Sequence, residues 1–390
     1  MASKILLISL VSMIFPMMFI PGIALKFPPM YQIFFILLIL IAGLGILVKG
    51  KVNRELLKYI LLLIFFCIYL YFNGSQFSQI ISIFSYILIL IVLRFAYPKT
   101  VFLNRKKINR IFDFLYLFFL SYAIIQIVAY YLFEIEYLVD FSFYLTSEIY
   151  STFPSPPTSG WNNQFRPSSF FAEPSFLGFY IALYSIYRID NKYKFPFSFL
   201  FANILILHIL GNRSGEVILI FMMLYILFDK KFGKKTSLTF FSIAMFLVFF
   251  FGYYFSTELF ENITYKNTDG SIVERVRLFI LGLQIYQDNI FFGIGLGNIG
   301  DYVWVKNNLY FYPIMNLTNM YVQFLTEVGT IGFVILIIYF IKLFSYSYST
   351  IALLMAFFLI GGYALFYIFL FSLFNSIYLQ ESYSENFISK

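Results

Sequence analysis

Arg166 and Glu173 stand seven residues apart in the run Arg166-Pro-Ser-Ser-Phe-Phe-Ala-Glu173-Pro-Ser-Phe-Leu-Gly178, which opens a long apolar stretch. A guanidinium is a rigid, permanently charged donor fork that suits phosphate oxygens. A carboxylate just ahead of a proline that starts a helix can be held close to that arginine. This spacing favours the handling of a phosphate-bearing, membrane-held substrate over passive conduction.

Other polar residues interrupt the apolar background. Arg213 lies in Gly211-Asn-Arg-Ser-Gly215, where two apolar runs meet. An arginine near the hydrocarbon costs about 2.5–3.5 kcal/mol at a helix centre and less toward the ends. Its usual partners are carboxylates, backbone carbonyls or an anionic ligand, and Glu216, three residues on, is the plain alternative. Residues Ser271 to Phe292 form an amphipathic stretch, with Val273, Val276, Ile280, Leu283 and Ile285 on one face and Glu274, Arg275 and Arg277 near its start. It is expected along a membrane interface, where arginines either bind a ligand or snorkel to headgroups. Gly293-Ile-Gly295-Leu-Gly297-Asn298 lacks the preceding strand that a dinucleotide fingerprint needs, so a close backbone approach is the better reading. Asn319, Tyr321 and Glu327 open a late apolar run, with Gly329 and Gly332 behind them as helix-packing residues. Glu327 is a functional candidate because it is ionisable within a membrane run, and packing is its ordinary alternative. His208, the single histidine, reads as a core residue, although an imidazole suits proton transfer. Glu134 and Glu136 form a carboxylate pair with no His or Cys cluster nearby, so they read as solvated acids and no metal is expected.

The elements that position these residues are membrane helices. Hydrophobic residues make up 61% of the 390, charged residues only 12%, and a soluble globule is excluded. Runs of about 20 residues, enough to cross a bilayer, begin near residues 5, 29, 56, 77, 111, 174, 195, 214, 238, 319 and 348. The expected fold is an all-α polytopic membrane protein of about 11 helices (about 10–12) in one integral domain. The first run resembles a signal peptide but is long for one, and is read as a retained helix. The one cysteine, Cys67, excludes disulfides.

Charge sets the sidedness. Nineteen of the 27 basic residues fall on one face with Glu55, Asp113, Asp190 and Asp229, which gives +15. The other 8 basic and 15 acidic residues give −7 on the opposite face, consistent with +8 overall. The basic face is cytoplasmic, as is the N-terminus. Two long polar segments, 134–173 and 256–318, then lie outside, and net charge carries no message about nucleic acid. Trp161 and Trp304 in these segments need no ligand at an interface.

In order, an Arg-x6-Glu-Pro-Ser motif, an Asn-Arg-Ser-Gly break, Arg275 eighteen residues before Gly293, and Asn319-x-Tyr-x5-Glu327-x-Gly-x2-Gly332 resemble the bacterial O-antigen polymerase and ligase superfamily, including Wzy-type capsular and exopolysaccharide polymerases. The resemblance covers about residues 160 to 340. It implies a GT-C-like, metal-independent, inverting glycosyltransferase, without cofactor, at the outer face of the bacterial cytoplasmic membrane. Its substrate would be undecaprenyl-diphosphate-linked oligosaccharide, with membrane lipid around it and flippase and chain-length regulator proteins as companions. Arg166, Arg213 and Arg275 would bind diphosphate or shape the site, Glu173 would join Arg166 and Arg213 in catalysis, and Asn319, Tyr321 and Glu327 would contact substrate. Ligase members tend to carry a histidine where this chain has Thr318, which leaves the general base unassigned. A flippase or other transporter, a ligase and a metal-dependent oligosaccharyltransferase are the rival readings.

Overall fold

The computed structural model describes residues 54–77, 79–81, 83–84, 87–88, 91, 105–133, 167, 174–190, 196–233, 236–241, 243–244, 247, 270–302, 317, 319–343 and 347–359. The first two expected spans, Arg166, Glu173, Glu134, Glu136, Trp161, Trp304 and Thr318 lie outside these residues, as does the side chain of Arg275. The described residues are helical, without strands. The bounded helices are α1 (Arg54–Phe72), α2 (Arg105–Phe133), α3 (Pro174–Asp190), α4 (Pro196–Ile209), α5 (Arg213–Phe232), α6 (Gly270–Asp288), α7 (Met320–Leu343) and α8 (Tyr348–Leu359).

Local chemistry explains several boundaries. Prolines open α3 and α4, where a missing N–H costs nothing. Asn212 caps α5 by accepting from the Gly215 N–H at 3.4 Å, and Gly233 ends it with φ 82°. The start of α8 is capped twice. Ser347 Oγ accepts from the Thr350 N–H at 3.1 Å. Asp190, the last residue of α3, accepts from the N–H groups of Tyr348 and Ser349 at 3.0 and 2.8 Å. A carboxylate at that position also meets the positive end of the helix dipole.

α3 is the centre of the bundle. Leu177 and Phe179 through Tyr184 are all buried, so its whole circumference is covered, by α2, α4, α5 and α8. It runs parallel to α5. Near their starts the two backbones almost touch, since a Cβ on Gly215 would sit 2.5 Å from Gly178 O. At their far ends Asp190 and Asp229 both bind the beginning of α8, Asp229 through the Tyr348 hydroxyl at 2.7 Å. Asp113 on α2 joins that end, accepting from Tyr184 at 2.5 Å and lying 3.6 Å from Arg188. Residues sorted to the basic face by sequence therefore gather at one end, with Arg213 at the other.

Large apolar side chains face outward, among them Leu61, Phe65, Phe114, Leu132, Leu224 and Leu227. Such a surface fits a bilayer better than water. Among the described residues, two helices are long and apolar enough to cross a membrane by length and composition, Phe112–Phe133 within α2 and Met320–Tyr339 within α7.

Gly215→Ala tests the α3–α5 contact. The added methyl meets backbone rather than a movable side chain, so overpacking is expected to cost about 1–3 kcal/mol. Thermal unfolding of detergent-purified protein should shift to lower temperature, whereas an unchanged midpoint would mean that the helices stand further apart.

Candidate active site

The turn between α4 and α5 places one group of polar residues. Gly211 takes φ 63°, and its N–H bonds to His208 O at 3.0 Å. Asn212 is buried, and its side chain occupies the space that a Cβ on Gly178 would need. That contact joins the first turn of α3 to the first residue of α5. Arg213 is exposed there, at the positive end of α5. Arg166 and Glu173, which precede α3, lie outside the described residues, but the helix they lead into starts one turn from this junction.

Glu216 does something the sequence reading did not assign to it. It reaches across the turn to His208, with Oε1 3.3 Å from Nδ1. His208 is correspondingly not a core residue. Its side chain is 75% exposed and that of Glu216 only 21%. A hydrogen-bonded contact between residues eight apart depends on the turn geometry, which spacing alone does not reveal.

The second group surrounds an interruption in α7. Gly329 has φ 64° and ψ −176°, so the helical ladder stops there. In apolar surroundings the freed backbone groups need protein partners. Four bonds join α7 to the glycine loop: Ile294 N–H donates to Thr326 O at 3.0 Å, Gly295 N–H to Glu327 O at 2.8 Å, Thr330 N–H to Ile290 O at 2.8 Å and Ile331 N–H to Phe291 O at 3.2 Å. α1 and its following turn supply more, with Tyr69 Oη donating to Val328 O at 2.6 Å and Asn73 Nδ2 to Glu327 O at 3.1 Å. The loop is pinned to the same turn by Leu296 N–H on Ser75 Oγ, 2.9 Å, and Gln76 Nε2 on Gly297 O, 3.0 Å. Glycine is required where these backbones meet. A Cβ on Gly293 would lie 2.5 Å from Glu327 O, and one on Gly329 2.4 Å from Phe291 O.

Glu327 belongs to this clasp. It is only 4% exposed, its Oε1 accepts from the Gly297 N–H at 3.0 Å, and the Gln323 side chain bonds to it as well. Asn319 is buried, and its Oδ1 accepts from the N–H groups of Tyr321 and Val322 at 3.0 and 3.1 Å, which makes it the cap of α7. Tyr321 donates its hydroxyl to Leu354 O on α8 at 2.8 Å. These atoms serve the scaffold.

α6 runs parallel to the first part of α7. Thr326 Oγ1 donates to Gly282 O at 2.9 Å, and Tyr286 Oη lies 2.8 Å from Thr330 Oγ1. The packed face carries Leu278, Leu281, Gly282, Leu283 and Ile285, so Leu283 and Ile285 of the face read off the sequence are buried there and Ile280 is half-buried, while the side chains of Val273 and Val276 lie outside the described residues. Gly282 lets α7 approach, since a Cβ there would meet Val322 and Leu317. Arg277 is half-buried near this seam.

Residues 198–337 match the family model described as O-antigen ligase. No curated protein matches the chain. The matched span takes in His208, Arg213, Glu216, Arg275, the glycine loop and Asn319 to Glu327, and it leaves out Arg166 and Glu173. The match supports the resemblance to the O-antigen polymerase/ligase superfamily and to glycan transfer of that type over these residues.

Removing the Glu327 carboxylate should loosen the clasp before it unfolds the bundle. A hydrogen bond to a charged group is worth about 1.5–3 kcal/mol. In Glu327→Ala, hydrogen–deuterium exchange should accelerate in 290–298 while the core of α3 stays protected. Unchanged exchange in that loop would contradict the clasp.

Proposed function

We propose that this chain is a polysaccharide polymerase of the O-antigen polymerase/ligase superfamily, a reading that the matched family model supports. It transfers a growing glycan from undecaprenyl diphosphate to a sugar hydroxyl of an incoming lipid-linked repeat unit, at the outer face of the bacterial cytoplasmic membrane. The chain is one integral membrane domain of about 11 spans, with a cytoplasmic N-terminus. The reaction inverts the anomeric centre and uses no metal.

One observation carries this reading: Arg213 stands exposed at the N-terminus of α5, against the first turn of the helix that follows Arg166 and Glu173. Charge and helix dipole there both favour a diphosphate. The leaving group is already good, so the protein must chiefly stabilise the charge that develops as the anomeric C–O bond breaks. Arg166, Arg213 and Arg275 would share that role. Glu173 either activates the acceptor hydroxyl or fixes the fork of Arg166. Asn319, Tyr321 and Glu327 hold the frame, and we assign them to positioning instead of substrate contact. A flippase and a chain-length regulator would act before and beside the enzyme.

A ligase, which moves finished glycan to a different acceptor, is the second reading, favoured by the description of the matched family model. Acceptor identity separates the two. Purified protein given a defined undecaprenyl-diphosphate repeat unit should produce a ladder on a gel. A single-step product on another acceptor would indicate the ligase, and no product in either assay would overturn both.

Arg213→Ala should lower the rate about 100- to 1000-fold, the loss typical of one well-placed charge-stabilising donor. Arg213→Lys should recover part of it, since charge returns without the fork. Near-normal ladders from Arg213→Ala would remove Arg213 from the mechanism.

A further inference from the structure

The exposed His208–Glu216 pair is unaccounted for by diphosphate binding. His208 lies in the last turn of α4, Glu216 lies in the first turn of α5, and Arg213 starts that same turn. Among the described residues, Arg213 and Glu216 are the charged groups at this end of α3, α4 and α5; Arg188, Asp190, Asp229, Lys230 and Lys231 belong to the opposite end. The carboxylate is the more buried partner and the imidazole the more exposed one. That is the arrangement of an orienting acid behind a presented ring. With Nδ1–H donated to Glu216, the lone pair resides on Nε2, the nitrogen away from the carboxylate. A purely structural contact has no need for the ring to be so open.

We propose that His208, oriented by Glu216, is the general base that takes the proton from the acceptor sugar hydroxyl. The proposal rests on the glycan-transfer reading above and adds the proton acceptor to it. As the acceptor O–H proton moves to Nε2, the oxygen forms a bond to the anomeric carbon of the donor sugar. The bond from that carbon to the diphosphate oxygen breaks, and its electron pair leaves with undecaprenyl diphosphate. Arg213, at the start of the same turn, faces the charge that appears on the leaving group. The imidazolium then returns its proton to water. Glu216 is a positioning residue, and Glu173 is assigned to holding Arg166.

The test uses the full-length protein in detergent with a defined undecaprenyl-diphosphate repeat unit, scored by initial rate across pH. General base catalysis typically contributes about 100- to 10,000-fold. His208→Ala should lose at least about 100-fold in kcat, with donor binding retained. Added imidazole should restore part of the rate. Unmodified protein should gain activity as pH rises, because the base must be unprotonated, and His208→Gln should lose that limb. Glu216→Gln should shift the limb and lower kcat less than His208→Ala does. A His208→Gln variant with the normal rate and an intact pH limb overturns the proposal and leaves the polymerase reading standing. Loss of donor binding in His208→Ala, without rescue by imidazole, also overturns it. Absence of product from the unmodified protein overturns the underlying reading, and the proposal with it.

Discussion

An interrupted helix in apolar surroundings must find partners for the peptide groups that its own ladder has released. α7 meets this condition at Gly329, and the partners come from two distant parts of the chain. The loop 290–297 supplies peptide groups on one side, and Tyr69 and Asn73 supply side chains on the other. This exchange locks α1, α6 and α7 to one another. It also accounts for the glycine-rich loop. Its glycines are needed because backbone touches backbone, and a methyl group at Gly293 or Gly329 would collide with a carbonyl oxygen.

The clasp and the Arg213 turn share one core. Met320, Phe324 and Val328 from the first part of α7 pack in the same apolar cluster as Leu177, Tyr180 and Ile218 from α3 and α5. The two polar groups are nevertheless built differently. Around Gly329 the polar side chains turn inward and bond to backbone, which is how a frame is held. Around Gly211 Arg213 and His208 are exposed at helix ends with Glu216 half-buried behind His208, an arrangement open to a ligand. Glu327 and Glu216 are both single carboxylates near glycine turns, yet the first bonds to backbone and the second to an exposed ring.

Features set by local chemistry were legible in the sequence. The prolines that open α3 and α4, the break at Asn212 and the close approach at the glycine loop all follow from residues a few positions apart. The all-helical character of the described residues follows from the length of the apolar runs. Features that depend on a remote partner were not legible. Asp190 caps a helix that begins more than 150 residues later, and nothing near it announces that. Gly329 looked like a packing glycine, because nothing in its neighbours distinguishes a close helix crossing from a break. His208 looked like a core residue because its helix is apolar, and its exposure depends on how α4 and α5 lie together. The face of α6 was legible in part, through Leu283 and Ile285, but its close contact with α7 at Gly282 was not, because a glycine has no side chain to count.

The central claim is that the Arg213 end of α3 and α5 receives a diphosphate. A cryo-EM structure of the full-length protein bound to an undecaprenyl-diphosphate glycan tests it most directly. The account predicts diphosphate oxygens within hydrogen-bond reach of the Arg213 guanidinium, about 3 Å, with Arg166 and Arg275 completing the cradle. A diphosphate bound elsewhere, with Arg213 directed toward lipid tails, would contradict it.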